Sequence, residues 1–330
     1  MQHVLSFIPS PSSNGIHVGP LFIHYYGLMY VIGITLAVII TRRRWAAMGG
    51  HPDLVGDVAI WAVPAGLIVA RIYFDITTPN DIPHHWWGVF AIWSGGLGIW
   101  GGIAGGAAAG IWRVRRAGAS PGQFANAIAP ALLVAQAVGR LGNYFNQELF
   151  GKPTTLPWGL EISLAHRPAG YLGYGTFQPT FLYEIIWDLA LAAFLVWLGH
   201  HRRIRSWGLF ALYVAGYSAF RIFEESVRID SSEHFLGLRL NFYVAAVMTL
   251  IGLAWFARAQ RGPEVQAGGA GPAVGAGPGG AGRAEPDAAA ADPAAAEDTG
   301  PASGDGDRAG PAGGASAVAP DDLAGHEQVR

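Results

Sequence analysis

Long runs of apolar residues, separated by short polar segments, dominate the first 261 residues of the chain. A helix needs about 20 mostly apolar residues to cross the hydrocarbon core of a bilayer. Seven segments meet this requirement, at approximately 21–41, 54–74, 91–112, 123–142, 179–199, 206–224 and 237–257. The pattern predicts an all-α polytopic membrane protein with about seven transmembrane helices. A small extracytoplasmic loop region is expected between helices four and five.

Basic residues follow every second predicted helix and indicate how the chain is oriented. Cytoplasmic loops of membrane proteins carry an excess of Lys and Arg. The basic groups are Arg42, Arg43 and Arg44; Arg113, Arg115 and Arg116; Arg202, Arg203 and Arg205; and Arg258 and Arg261. This alternation predicts that the N-terminus lies outside and the C-terminus lies in the cytoplasm. Residues 1–20 contain no Lys or Arg, so no signal peptide is expected before the first helix.

Composition divides the chain near residue 261. Charged residues make up 13% of the whole sequence, about half of the roughly 25% typical of soluble domains. Residues 262–330 consist mainly of Ala, Gly, Pro and acidic residues, which bury too little surface to offset chain entropy. We therefore predict a membrane-embedded domain at 1–261 and a disordered cytoplasmic tail at 262–330. The absence of cysteine excludes disulfides, zinc–thiolate sites and a cysteine nucleophile on this chain.

Several cations do not fit the orientation pattern, because they fall at the outer ends of helices or in outer loops. Ionisable groups at membrane depth are costly and usually face a protein interior or a wet cavity. These cations are Arg71, Arg140, Lys152, Arg167, Arg221, Arg228 and Arg239. Their positions predict an outward-facing site that handles an anion.

The segment AVGRLGNYFNQELFG, residues 137–151, concentrates polar groups at the outer end of helix four. Arg140 offers a planar fork of donors that suits phosphate. Gly142 permits a close backbone approach. Asn143 and Asn146 are able to bind ester or hydroxyl oxygens, and Glu148 is able to orient a guanidinium or accept a proton. Simple capping of a membrane helix is the alternative, but it does not explain this density of polar residues.

The segment YSAFRIFEESVR, residues 217–228, lies near the outer end of helix six. Tyr217, Arg221 and Glu225 are spaced i, i+4, i+8 and so share one helix face. We expect Arg221 and Glu225 to form an ion pair that holds the guanidinium, although a purely structural pair remains the alternative. Glu224 is expected to be a surface residue, and Arg228 to extend the basic site.

Three other segments contribute weaker signals. In HYYGLMY, residues 24–30, Tyr26 and Tyr30 share a helix face, although membrane tyrosines often serve only as interfacial anchors. The Gly-rich run at 93–110 favours close helix packing. Glu184 and Asp188 lie inside helix five and require buried partners, and Arg71 is a candidate partner for Glu184.

The run GRLGNYFNQE, residues 139–148, closely resembles the signature of the phosphatidylglycerol–prolipoprotein diacylglyceryl transferase family. HYYGLMY, QPTFLYE at 178–184 and the YxxFRxxxE pattern at 217–225 resemble further motifs of that family, in the expected order. The resemblance covers roughly residues 20–257. It implies a multi-pass transferase of the bacterial cytoplasmic (inner) membrane, with residues 1–261 as its transferase domain.

The implied reaction moves the diacylglyceryl group of phosphatidylglycerol to the lipobox cysteine of a prolipoprotein signal peptide. The products are a thioether and glycerol 1-phosphate, and this is the first step of lipoprotein maturation. The implied partners are phosphatidylglycerol, the prolipoprotein and the lipid bilayer. No cofactor, metal or nucleic acid is expected.

The resemblance also implies roles for individual residues. Arg140 and Arg221 would grip the phosphate. The implied catalytic residues are Arg140, Arg221, Tyr26, Glu148 and Glu225. The implied phosphatidylglycerol-binding residues are Arg140, Gly142, Asn143, Asn146, Tyr217, Arg221 and His24.

One position departs from the family pattern. The third-helix run reads GGLGIWGG, and Trp100 stands where many family members carry a histidine. A histidine base is therefore absent from that position, and we expect Trp100 to pack against lipid or the bound diacylglycerol. The candidates for the base are His24, Tyr26, Glu148, Glu225 and the lipid phosphate itself, and the sequence leaves them unranked.

Two other classes of membrane protein are alternatives. Buried charges would also suit a transporter of an anionic or lipid solute, but the two halves show no internal repeat and the charges cluster at one face. A lipid-binding or scaffolding protein without catalysis is the second alternative. An intramembrane serine protease is disfavoured, because Ser94 and Ser218 lack a histidine at matching depth.

Overall fold

Seven helices of at least 18 residues form the main body of the protein. The computed structural model describes residues 7–83, 85, 87–91, 95–230 and 234–261. The helices are α1 (Tyr25–Ala47), α2 (Asp53–Thr77), α3 (Ile99–Arg116), α4 (Pro121–Asn146), α5 (Thr180–His201), α6 (Gly208–Val227) and α7 (Leu240–Arg261). They match the seven predicted segments in order. The predicted tail at 262–330 and Ser94 lie outside the described residues.

Five of these helices, α1, α2, α4, α5 and α7, are long and apolar enough to cross a membrane. The other two, α3 and α6, each carry three charged residues near one end: Arg113, Arg115 and Arg116 in α3, and Arg221, Glu224 and Glu225 in α6. The protein is thus a multi-pass, all-α membrane protein, as the apolar pattern predicts.

Two of the helices, α1 and α3, begin later in the chain than the apolar pattern predicts. Helix α1 begins at Tyr25 rather than near residue 21, because β3 (Leu21–His24) pairs with β2 (Gly15–Val18) in an antiparallel hairpin. Helix α3 begins at Ile99 rather than near residue 91. Gly95 and Gly96, with φ of 85° and 77°, hold a backbone conformation that an α-helix does not use.

Small residues bring α2 and α3 into direct backbone contact. A Cβ atom on Gly101 would lie 2.5 Å from the Val69 carbonyl oxygen, and one on Gly105 would lie 2.7 Å from that of Ala65. Side chains in these places would force the helices apart. The Gly-rich run therefore serves helix packing, as predicted. Elsewhere α4 is the central helix and packs against α1, α5 and α6, while α6 packs against α7.

Short strands build a small cap between α4 and α5. Strand β4 (Gly159–Glu161) pairs parallel with β1 (Phe7–Ile8) and antiparallel with β5 (Thr176–Phe177). The apolar core of this cap consists of Phe150, Leu160, Ile162 and Phe177. A third pairing, between β6 (His234–Phe235) and β7 (Leu238–Arg239), forms a hairpin that runs directly into α7.

Gln147 attaches this cap to the end of α4. It closes the helix in a left-handed conformation with φ of 52°. Its side-chain oxygen accepts a hydrogen bond from the Ser163 backbone N–H at 2.8 Å, and its amide nitrogen donates to the Pro11 carbonyl at 3.3 Å. The polar end of α4 is therefore fixed against the cap before any ligand binds.

Candidate functional site

Arg140, near the end of α4, joins three helices through its guanidinium group. Its Nη2 atom lies 2.5 Å from Oε1 of Glu184 in α5 and donates to the Tyr217 hydroxyl in α6 at 3.3 Å. Tyr217 in turn donates to Glu184 Oε1 at 3.1 Å. The arrangement fixes one edge of the guanidinium, which has five N–H donors, and leaves donors for a ligand.

The signature segment continues this network along α4. Arg140 Nη1 donates to Asn143 Oδ1 at 3.3 Å, and Asn143 Nδ2 donates to Glu148 Oε1 at 2.9 Å. Asn146 Nδ2 donates to the same Glu148 oxygen at 3.3 Å. Glu148 itself is exposed. The structure thus connects four of the predicted site residues in one chain of hydrogen bonds that ends at an accessible carboxylate.

Helix α6 supplies the second arginine. Arg221 Nη2 lies 2.7 Å from Glu225 Oε1, so the predicted i, i+4 ion pair is present. The expectation that Glu224 is a surface residue is wrong. Its side chain is buried, and its Oε2 accepts from Arg221 Nη1 at 2.6 Å. A residue three positions from Arg221 also falls on its face of a helix, and that spacing could have revealed the contact.

Arg239 and Asp230 complete a closed ring of ion pairs that the helix spacing alone does not predict. Arg239 Nε lies 2.6 Å from Glu225 Oε2, and its Nη2 lies 2.9 Å from Asp230 Oδ2. Arg228 binds Asp230 at 2.6 Å and approaches Glu224 at 3.8 Å. The ring therefore contains three arginines and three carboxylates: Arg221, Glu225, Arg239, Asp230, Arg228 and Glu224. The sequence offers no signal for it, because the β6–β7 hairpin that carries Arg239 comes from outside α6.

Asp230 lies in the segment between α6 and α7, where it binds both Arg228 and Arg239. Burial opposes its ionisation, but the hydrogen bonds and charge of Arg228 and the charge of Arg239 outweigh that effect. Together they hold the pKa of the Asp230 carboxyl below its ordinary value. The two arginines therefore favour the ionised form of Asp230 within the ring.

Accessibility separates the cations that can meet a ligand from those that cannot. The side chains of Arg140 and Arg221 are 17% and 22% exposed, whereas those of Glu184 and Glu225 are fully buried. The carboxylates thus lie behind the guanidinium groups and hold them toward open space. Arg228 and Arg239, at 6% and 9%, are enclosed within the ring.

Helix α1 brings Tyr26 against the signature segment. A Cβ atom on Gly142 would lie 2.2 Å from Tyr26 Cδ2, so only glycine admits the ring there. Tyr26 shares a hydrogen bond of 3.3 Å with Tyr30, on the predicted common face. His24 lies outside the helix, at the end of β3, and is exposed with its ring edge-on to Phe22. Of these aromatic residues, Tyr26 is the one in contact with α4 beside Arg140.

Three of the cations that the sequence places in the anion site bind backbone carbonyls instead. Arg71 donates to the carbonyl oxygens of Gly88, Val89, Gly95 and Gly96 and pairs with Asp75 at 3.0 Å. The expected Arg71–Glu184 pair is therefore wrong, because these groups already satisfy the guanidinium. Lys152 donates to the Ser226 carbonyl, and Arg167 to those of Ile162 and Leu172.

Asp188 is one turn beyond Glu184 in α5 and is fully buried. Neither of its carboxylate oxygens has a hydrogen-bond partner among the described residues, and the same holds for Glu184 Oε2. The partner expected for Asp188 is thus absent from the described part of the chain.

The fold and the site together define a multi-pass helical membrane protein whose arginines, backed by buried carboxylates, gather at one end of the bundle. The model of the prolipoprotein diacylglyceryl transferase family matches residues 14–258. The chain therefore belongs to the prolipoprotein diacylglyceryl transferase family.

Similar proteins from three bacteria carry the name phosphatidylglycerol–prolipoprotein diacylglyceryl transferase. The protein of Frankia alni is 49% identical over 248 residues, which are 74% of this chain and 65% of the relative, slightly under two thirds of its length. That of Cutibacterium acnes is 49% identical over 73% of this chain and 82% of its own. The enzyme of that name numbered 2 in Streptomyces coelicolor is 44% identical over 76% of this chain and 80% of its own. All three matches fall short of covering the whole chain.

Proposed function

We propose that this protein transfers the diacylglyceryl group of phosphatidylglycerol to the lipobox cysteine of a prolipoprotein signal peptide. The observation that carries the proposal is the pair of partly accessible guanidinium groups, Arg140 and Arg221, held from behind by buried carboxylates. A phosphodiester headgroup is the anion that such a site would meet at a membrane surface. Family membership then selects the reaction among those that a phospholipid can undergo.

The reaction requires charge stabilisation at the leaving group. The cysteine sulfur attacks a glycerol carbon, the carbon–oxygen bond to phosphate breaks, and negative charge builds on that oxygen. The thiol proton is finally carried by the released glycerol 1-phosphate. Donors fixed beside such a developing charge each contribute roughly 2.7–4 kcal/mol to lowering the barrier. Arg140 and Arg221 are placed to supply them.

The remaining predicted residues surround these two arginines. Tyr217 and Asn143 orient Arg140, and Glu225 orients Arg221. Tyr26 packs on Gly142 and forms a wall of the site. Glu148 is the accessible carboxylate at the end of the α4 network, and so it is our candidate for accepting the thiol proton. His24, although exposed, remains a candidate for contact with the lipid headgroup.

The membrane arrangement follows from the same assignment. We place the site at the outer leaflet of the bacterial inner membrane, with the N-terminus outside and residues 262–330 in the cytoplasm as a disordered tail. The basic ends of α1, α3, α5 and α7 would then face the cytoplasm, in agreement with the positive-inside rule. Trp100, at the start of α3 and 49% exposed, would face lipid.

The test is a transfer assay with purified protein, phosphatidylglycerol and a lipobox peptide. Mass spectrometry should detect a diacylglyceryl adduct on the peptide cysteine, together with released glycerol 1-phosphate. Arg140→Gln should lower the rate about 10²- to 10³-fold, because it removes a charged donor from the leaving group. The matched control is Arg42→Gln. Arg42 is an exposed arginine that pairs with Asp53 and lies at the end of α1 away from Tyr26.

Two outcomes would contradict the proposal. The absence of an adduct under conditions where a related enzyme is active would exclude the reaction. Full activity of the Arg140→Gln variant would leave the reaction in place but remove the assigned role. Movement of an anionic solute or lipid across vesicles without peptide modification would favour a transporter instead.

A further inference from the structure

Arg239, in the β6–β7 hairpin, takes part in the ion-pair ring without reaching the open side of the site. We infer that Arg239 is a positioning residue that shares Glu225 with Arg221 and so keeps the Arg221 guanidinium available to the substrate phosphate. This inference rests on the proposed function. It assigns a role to a residue that belongs to none of the four sequence motifs.

The contacts of Arg239 engage its whole guanidinium group. Its Nε lies 2.6 Å from Glu225 Oε2 and its Nη2 lies 2.9 Å from Asp230 Oδ2. Its Nη1 donates to the carbonyl oxygens of Arg228 at 3.3 Å and Asp230 at 3.0 Å. All three nitrogens lie close to acceptor oxygens and the side chain is only 9% exposed, so Arg239 is poorly placed to bind substrate itself.

Glu225 is the point at which Arg239 acts on the site. Its two carboxylate oxygens are divided between two cations, with Oε1 at 2.7 Å from Arg221 and Oε2 at 2.6 Å from Arg239. One negative charge is therefore shared by two positive charges. A carboxylate that has a single arginine within reach commonly binds it through both oxygens. A buried carboxylate that loses a cationic partner is strongly destabilised.

Loss of Arg239 would change that division. Glu225 is fully buried, so its freed oxygen would turn to Arg221, the other cation that it contacts among the described residues. Arg221 also pairs with Glu224 at 2.6 Å, and two fully engaged carboxylates would then compete with the lipid phosphate. The expected consequence is weaker binding of the anionic substrate, with the transfer step itself little changed.

Steady-state kinetics of the full-length protein in phosphatidylglycerol-containing micelles test this role. Arg239→Gln should raise KM for phosphatidylglycerol about tenfold and change kcat by less than about twofold, the pattern expected when binding is lost equally in the ground and transition states. Glycerol 1-phosphate, used as a soluble phosphate probe, should inhibit the variant more weakly by a similar factor. Arg239→Lys should be intermediate, because an ammonium group keeps the charge but not the fork.

Asp230→Asn distinguishes charge sharing from simple loop integrity. This variant removes the other carboxylate bound by Arg239 but leaves Arg239 free to hold Glu225. Charge sharing therefore predicts an unchanged or lower KM for Asp230→Asn. A role limited to holding residues 228–230 predicts that Asp230→Asn and Arg239→Gln have the same effect.

The results that would overturn the inference are distinct from those that would overturn the proposed function. An inactive wild-type protein refutes the proposed function. An active wild type together with an unchanged KM in Arg239→Gln, or with a lower kcat at constant KM, refutes the role of Arg239. If Arg239→Gln does not fold, Arg239→Lys decides the matter, and an unaltered KM in that variant would also count against charge sharing.

Discussion

Arg71 and Arg140 are both arginines at the same end of the bundle, yet their surroundings differ. Arg71 is 6% exposed, pairs with Asp75 and donates to four backbone carbonyls in the loop before α3. Arg140 is 17% exposed and is held by the side chains of Asn143, Glu184 and Tyr217. A guanidinium bound to carbonyls fixes a loop, whereas one bound at an edge by side chains retains donors for a ligand.

The same contrast extends to the other cations of this region. Lys152 and Arg167 resemble Arg71, because backbone carbonyls accept their hydrogen bonds. Arg221 resembles Arg140, because buried carboxylates hold it and its side chain is 22% exposed. Arg140 and Arg221 therefore differ from the loop-binding cations in both partner and exposure. The carboxylate-bound Arg228 and Arg239 share the kind of partner but are enclosed.

The largest expected effect is on the stability of the Arg71→Gln variant. Removing one partner of a buried ion pair costs about 3–5 kcal/mol, because the remaining charge and the carbonyls lose their donors. Thermal unfolding in detergent should therefore show a clear loss for Arg71→Gln and a comparable loss for Arg140→Gln, which leaves the fully buried Glu184 without its cation. The folded fraction of Arg71→Gln should keep normal transfer activity. The distinction between the two arginines fails if the folded fraction of Arg71→Gln loses transfer activity as Arg140→Gln does.

A smaller effect is expected where α1 meets α4. Gly142→Ala should cost about 1–3 kcal/mol of stability through overpacking, because the new methyl group collides with the Tyr26 ring. Transfer activity should fall as well, since the ring forms a wall of the site. Gly139→Ala, one turn earlier, is the matched control: its Cβ has no neighbour within 4 Å, and it should leave both properties intact. Equal behaviour of the two variants would argue against a close fit at Gly142.

The smallest effect concerns the pH dependence of stability. Arg228 and Arg239 lower the pKa of Asp230 in the folded state despite its burial. A group with a depressed pKa stabilises the fold above its unfolded-state pKa, about 3.9 for Asp, and this contribution is lost as the pH falls through the folded-state value. The melting temperature of the wild type should thus fall more steeply below about pH 4 than that of Asp230→Asn. Parallel curves for the two proteins would contradict the shift.

Much of the fold follows from local pattern. The seven apolar segments and the small-residue contacts of α2 with α3 could be predicted, because spanning length and close packing are properties of single segments. The pairs within one helix were also predictable when their spacing was considered, as for Arg221 with Glu225. The i, i+3 spacing also brings Glu224 next to Arg221. The expectation that Glu224 lies at the surface is wrong because α6 buries both Glu224 and Glu225, which lie on adjacent faces of the helix.

The apolar and polar pattern along the chain is sufficient to predict the class of protein and the end of the bundle at which polar residues gather. Packing in three dimensions is what pairs Glu184 with Arg140 and not with Arg71, and what brings Arg239 to Glu225 to close the ring. These choices depend on which helix and hairpin ends meet in space. A buried charge requires some partner, but the identity of that partner is set by packing between segments that are distant in the chain.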